Sequence, residues 1–239
     1  MRRGSSVAGL LTFGGRMPPA VGGLVVALVG ASLAGRLSGL GGAALLVPDL
    51  VLGGQAWRLV TWSFVERDPV SLLFGGLTLY WFGRDLAWAW GARRLVVTWL
   101  VLGAAAGAVP VLASLVLPGL GAAAWAGPWA VLSGLLVAWG LLHPDRQILL
   151  NFLLPVSGRG LAWLTVGMTV LFAIFGGFAA YLPHLAAEGM MAAWARGLSP
   201  RGAWQGFRIR MGQRRMRRRA RHLQVVKRGG KDEPPRWLN

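Results

Sequence analysis

The chain has 239 residues, 55% of them hydrophobic and only 14% charged, where a soluble domain carries roughly 25% charged residues. A mean hydropathy of +0.54, with 36 Gly and 13 Trp, argues against an ordinary soluble domain and for a bilayer, since Gly is frequent in membrane helices and Trp collects at membrane interfaces. The chain has no Cys, which excludes disulfide frameworks, thiol nucleophiles and Cys-ligated metals, and its net charge of +17 is uneven, fourteen of the 25 Lys and Arg lying from Arg196 onward.

Apolar runs bounded by charges or turn residues predict the spans, since about twenty residues cross the hydrocarbon. The first run is Pro19 to Ala34. Its basic approach (Arg2, Arg3, Arg16) resembles a signal peptide, but no small-residue cleavage site precedes further apolar sequence, so it is read as a retained span. A long first loop follows from Arg36 to Asp68. Five further spans are predicted at Pro69–Phe82, Leu95–Leu117, Ala124–Leu142, Leu161–Phe175 and Phe178–Ala195. The short apolar segment Ile148 to Val156 is read as interfacial. The expected organisation is a basic N-terminal segment (1–17), a six-helix membrane domain (18–198) and a basic tail (199–239).

Lys and Arg mark the cytoplasmic loops. The loop after span two carries Arg84, Arg93 and Arg94, and the loop after span four carries Arg146 and Arg159, whereas those after spans three and five carry none. Both termini are therefore expected in the cytoplasm. The first loop fits less cleanly, with Arg36, Arg58 and Arg67 beside Asp49, Glu66 and Asp68.

Several local patterns recur in an informative order. Gln55-Ala56-Trp57-Arg58 is followed by Thr61-Trp62-Ser63-Phe64; Leu79-Tyr80-Trp81-Phe82-Gly83 precedes Gly91-Ala92-Arg93-Arg94; Leu141-Leu142-His143-Pro144-Asp145-Arg146 closes span four; and His184 lies in span six. Together, over about Leu45 to Trp194, these resemble the rhomboid family. The resemblance implies an all-α, polytopic, six-helix bundle with a structured first loop in which Trp57 and Arg58 serve a structural role. It also implies intramembrane cleavage by a Ser-His dyad: a Gly-x-Ser-Gly serine opening the fourth span, a histidine on the sixth, and a His and Asn on the second that stabilise the oxyanion.

The chain departs from that pattern. Counted back from Pro144, the serine motif falls on Gly127, Pro128, Trp129 and Ala130, so an indole stands at the nucleophile position. The second-span His and Asn positions become Ser71 and Gly75, and the small residues expected after His184 become Ala187 and Met191. These substitutions describe a rhomboid-like pseudoprotease that binds or retains membrane-protein clients. Ser133 keeps the alternative of an active intramembrane serine protease open. It lies one turn beyond Trp129, roughly 6 Å along the axis, and could face His184 as a nucleophile; otherwise it is a small packing residue bonded to a backbone carbonyl.

Glu188 is the most unusual residue of the apolar body, four residues after His184 and so on the same helix face. An ionisable group within a span usually faces the bundle interior or water. A His-Glu pair allows a third reading, a proton-linked transporter, although no inverted repeat supports it; the plainer alternatives are snorkelling, or holding His184 in one tautomer. One His and one Glu are too few for a metal site, and no cofactor is expected.

The tail is dominated by Arg214, Arg215, Arg217, Arg218 and Arg219, preceded by Trp204, Phe207 and Met211 at helical spacing. It is read as an amphipathic segment on anionic lipid; RNA is the rival, but no nucleic-acid-binding fold accompanies the arginines. The expected location is a bacterial-type cytoplasmic membrane.

Overall fold

A computed structural model describes residues 17–150 and 154–197. The described chain is mostly helical, with eight α-helices joined by short 3₁₀ turns and one hairpin. Helix α1 spans Pro19–Ser38. The first loop holds a 3₁₀ turn at Leu40–Ala44, then α2 (Pro48–Leu52), α3 (Arg58–Thr61) and a second 3₁₀ turn at Trp62–Phe64. Four long helices and a shorter one complete the bundle: α4 (Pro69–Trp90), α5 (Ala92–Ser114), α6 (Trp129–Leu142), α7 (Gly158–Gly176) and α8 (Phe178–Ala195).

Local chemistry sets the helix ends. Pro19 and Pro69 occupy first-turn positions, where a missing N–H costs nothing. The Asp68 carboxylate accepts from the Ser71 backbone N–H at 2.6 Å and caps α4. Ser157 caps α7 in the same way through Gly160 N–H at 3.1 Å. Helix α1 stops at Gly39, whose φ of +72° is the left-handed conformation that favours glycine.

Three helices, α1, α5 and α7, are long and apolar enough to cross a membrane. Helix α6 is apolar but has 14 residues, about 21 Å at 1.5 Å per residue. Helix α4 continues to Trp90, well past the boundary expected at Phe82. The charges at Arg84 and Asp85 did not end it, because Asp85 is met by partners: it lies 2.7 Å from Arg146 Nη1 and accepts from Trp139 Nε1 at 3.2 Å.

The segment expected to be interfacial, Ile148 to Val156, falls in a two-stranded antiparallel hairpin, β1 (Gln147–Leu150) with β2 (Leu154–Ser157), in register from Gln147 opposite Ser157 to Leu150 opposite Leu154. It is the one departure from the all-α expectation among the described residues. Pairing its backbone groups satisfies them where a flat extended segment would leave them open.

The bundle has chemically distinct ends. Arg94 lies 5.3 Å over the Trp194 ring, which packs edge-on against Trp90; Arg146 pairs with Asp85, next to Arg84, and its carbonyl accepts from Gly158 N–H, next to Arg159. The basic residues of the two later loops thus gather at one end. Backbone hydrogen bonds stitch the first loop to the segment before α6: Leu46 and Trp125 exchange two at 3.0 Å, Asp49 N–H reaches Gly121 O, and Gly127 N–H reaches Trp62 O.

Candidate functional site

Helix α6 is the axis of the site. Every residue from Ala130 to Gly140 is buried except Leu136, and α6 packs on α4, α5, α7 and α8. Its approach to α8 is close because Gly134 has no side chain: a Cβ there would stand 3.0 Å from both the Ala187 carbonyl oxygen and Leu102 Cδ2. Small residues at a helix crossing permit such backbone contact.

The two helices run parallel. Just ahead of α6, Trp125 Nε1 donates to the carbonyls of Ala179 (3.3 Å) and Ala180 (3.1 Å) at the start of α8, and further along Gly134 meets Ala187. Pro183 lacks the N–H that would have bonded Ala179 O four residues back. The indole supplies the missing donor, so the proline inside this helix leaves no orphan at that carbonyl.

This register decides which polar groups meet. Ser133 lies beside the Glu188 carboxyl group, while its hydroxyl donates to Ala130 O at 3.1 Å. Thr169 on α7 donates to Glu188 Oε1 at 2.6 Å. Glu188 is 2% exposed, so one buried carboxyl joins three helices. Its Oε2 and His184 Nδ1 are buried without a hydrogen-bond partner among the described residues. No hydrogen bond joins Ser133 to His184; the imidazole instead stands 5.5 Å from the Tyr181 ring.

The other positions named from the resemblance lie around this axis. A Cβ on Gly75 would stand 3.2 Å from Pro128 Cγ and 3.5 Å from Leu132 Cδ1, so α4 rests directly on the start of α6 there. Ser71 sits in the first turn of α4, its backbone N–H held by Asp68. Gly127, at φ +101°, makes room for the Glu66 carboxylate, whose Oε2 would lie 2.6 Å from a Cβ. Trp129 is half-buried and packs on the core.

Trp57 and Arg58 lie in the first loop. Arg58 is 5% exposed and, among the described residues, in no ion pair. Its guanidinium donates to Gln55 Oε1 (2.6 Å), Gly42 O (2.8 Å) and Leu45 O (2.7 Å). Trp57 Nε1 donates to Ala43 O at 3.3 Å, and Thr61 Oγ1 to Ala44 O at 3.0 Å. Side chains of Arg58 and Thr61 on one short helix, with Trp57 just before it, therefore satisfy four consecutive carbonyls of the loop, residues 42 to 45.

Sequence reading missed Thr169, Trp125 and the Asp85–Trp139–Arg146 cluster. Asp85 carried a visible signal, a carboxylate inside an apolar run; Thr169 carried none, since threonine is ordinary in a membrane helix. Among the described residues no three His, Asp or Glu side chains converge as a metal would need. The arginines expected to bind lipid, Arg214 to Arg219, lie outside the described residues.

Comparison with curated proteins finds no match. A family model described as eukaryotic integral membrane protein (DUF1751) matches residues 21–195, from α1 to the end of α8. That eukaryotic description weighs against the bacterial-type membrane expected from the sequence; charge and hydropathy patterns read topology and carry no information on the kind of cell. The chain is an integral membrane protein and belongs to the eukaryotic integral membrane protein family DUF1751.

Proposed function

We propose that this chain is a rhomboid-like pseudoprotease, a six-span membrane protein that holds the helices of other membrane proteins without cutting them. The observation that carries the reading is the allocation of polar partners around Ser133. A serine nucleophile needs a base within about 2.6–3.2 Å. Here the hydroxyl donates to Ala130 O and lies beside Glu188, which Thr169 already engages, while the His184 ring sits a turn away without a partner at Nδ1. The region expected to hold oxyanion donors has Gly75 packed on Pro128.

The short α6 is compatible with six spans because other helices enclose it and it need not match the roughly 30 Å hydrocarbon thickness by itself. Helices α4 and α8 carry their charges at one end or into the bundle interior, where a span tolerates them. The gathering of Arg84, Arg94 and Arg146 at one end supports a cytoplasmic placement for that end and for both termini.

The client face is formed by α4, α6 and α8. Trp129 and Leu136 are the α6 residues between 129 and 140 that retain exposure, and α4 exposes Leu73 and Phe74, which precede Gly75 in sequence. A photocrosslinking amino acid at Trp129 or Leu136 is expected to capture membrane-spanning proteins, with Leu132, 2% exposed, as the silent control. Equal capture from all three positions, or from none, would remove the reading.

A further inference from the structure

Away from the α6–α8 axis, a groove runs between α1 and the first loop. Its apolar part is lined by Ala27, Ala31, Ala34 on α1 and by Ala44, Phe64 and Val65 opposite, with a volume of about 450 Å³. Beside it lies a polar cavity of about 350 Å³, edged by Ser32, Arg36, Glu66 and Arg67. The two share Gly35, Gly41 and Val65 in their walls, so an apolar and a charged cavity lie side by side on α1.

We propose that this groove binds an anionic phospholipid, one acyl chain lying along α1 and the phosphate seated between Arg36 and Arg67. The dimension fits. From Ala27 to Ser38 the lining follows α1 for eleven rises, about 16 Å at 1.5 Å per residue, which is the depth of one leaflet in a hydrocarbon core of roughly 30 Å. The charged cavity flanks the C-terminal half of the apolar one, at Ser32 to Gly39, near the end of a helix long enough to cross the bilayer.

The charges at the mouth select the headgroup. The carboxylates there are already committed: Glu66 Oε1 accepts from the backbone N–H groups of Arg67 (2.7 Å) and Asp68 (3.2 Å), and Asp68 Oδ2 accepts from Ser71 N–H. Both guanidiniums are exposed, and among the described residues neither has an acidic partner, the single ion pair being Arg146–Asp85. Guanidinium matches phosphate in a two-pronged geometry that an ammonium cannot reproduce. A protein helix is a poorer occupant. The walls close to backbone contact at Gly35 and Gly41, where a Cβ on Gly35 would lie 3.0 Å from Gly41 Cα, and a helix needs about 10–12 Å.

The test uses the full chain in phosphatidylcholine nanodiscs doped with phosphatidylserine that carries a diazirine on one acyl chain. Labelled peptides are mapped by mass spectrometry, with α7, whose Phe172 and Phe175 are exposed, as the reference for ordinary lipid contact. Labelling of residues 27–65 is expected to exceed that of α7 at least fivefold. It should fall to the α7 level in Ala31→Trp, which fills the groove, and in the double variant Arg36→Gln with Arg67→Gln; a phosphatidylcholine probe should give a smaller excess. Thermal midpoints within a few degrees of the parent chain establish that each variant is folded. Even labelling of α1 and α7 would overturn the proposal. So would groove labelling that survives both variants, or crosslinks from the groove to a second copy of the chain. Loss in Ala31→Trp but not in the arginine variant would overturn the headgroup assignment.

Discussion

The Thr169 hydroxyl donates a 2.6 Å hydrogen bond to Glu188 Oε1, tying α7 to α8 inside the bundle. An unmet buried acceptor costs about 1–3 kcal/mol. Thr169→Val keeps the shape and removes the donor, so it is expected to destabilise the chain in detergent by about that amount, read as a lower thermal midpoint. Glu188→Gln keeps an acceptor for Thr169 and should cost less than Glu188→Leu, which also leaves the Thr169 hydroxyl unmatched.

Trp125 and Pro183 are expected to be energetically coupled. Trp125→Phe removes the indole donor to Ala179 O while keeping much of the ring, at a cost of about 1–3 kcal/mol for the abandoned carbonyl. Pro183→Ala restores the helical N–H that bonds the same oxygen. The cost of Trp125→Phe should therefore shrink in a Pro183→Ala background. Equal costs in both backgrounds, measured as a double-mutant cycle, would contradict the account of that carbonyl.

Arg58 is expected to be irreplaceable by lysine. Its three donors reach Gln55, Gly42 and Leu45 in a fixed fork, and a single ammonium cannot span them. Arg58→Lys and Arg58→Ala should both lower stability, by about 2 kcal/mol or more in the alanine case, with proteolysis appearing first within residues 40–66. By contrast Arg146→Ala should cost under about 1 kcal/mol, because that guanidinium is half exposed and its pairing with Asp85 is screened.

Gly134 limits the approach of α6 to α8. Gly134→Ala places a Cβ 3.0 Å from the Ala187 carbonyl oxygen and is expected to cost about 1–3 kcal/mol; Gly134→Leu should prevent accumulation of folded chain. Gly167 has nothing within 4 Å of a Cβ position, so Gly167→Ala is the matched control and should leave the thermal midpoint nearly unchanged.

Much of the architecture is legible in the sequence because hydropathy reports it directly: the limits of α8 coincide with the apolar run Phe178–Ala195, and α1 begins at Pro19 as its proline indicates. What hydropathy reads poorly is an element whose charges are paired in three dimensions. Helix α4 outruns its apolar segment because Asp85 finds Arg146 and Trp139 from α6 and the hairpin approach, sixty residues further on in round terms. The hairpin was hidden because a short apolar run has no periodicity that separates strand from interfacial segment. At the site, Ser133, His184 and Glu188 are all visible as polar residues in apolar helices. Their pairing is not, since it depends on a helix register set by Gly134 against Ala187 and by Trp125 against the start of α8.

The most direct measurement is covalent labelling of Ser133 by a fluorophosphonate in the full chain reconstituted in nanodiscs. With its hydroxyl bonded to Ala130 O and its neighbour Glu188 held by Thr169, Ser133 should acquire no more label than a Ser133→Ala chain over hours. A stoichiometric adduct at Ser133, lost in His184→Ala, would show that histidine activates this serine and would contradict the account.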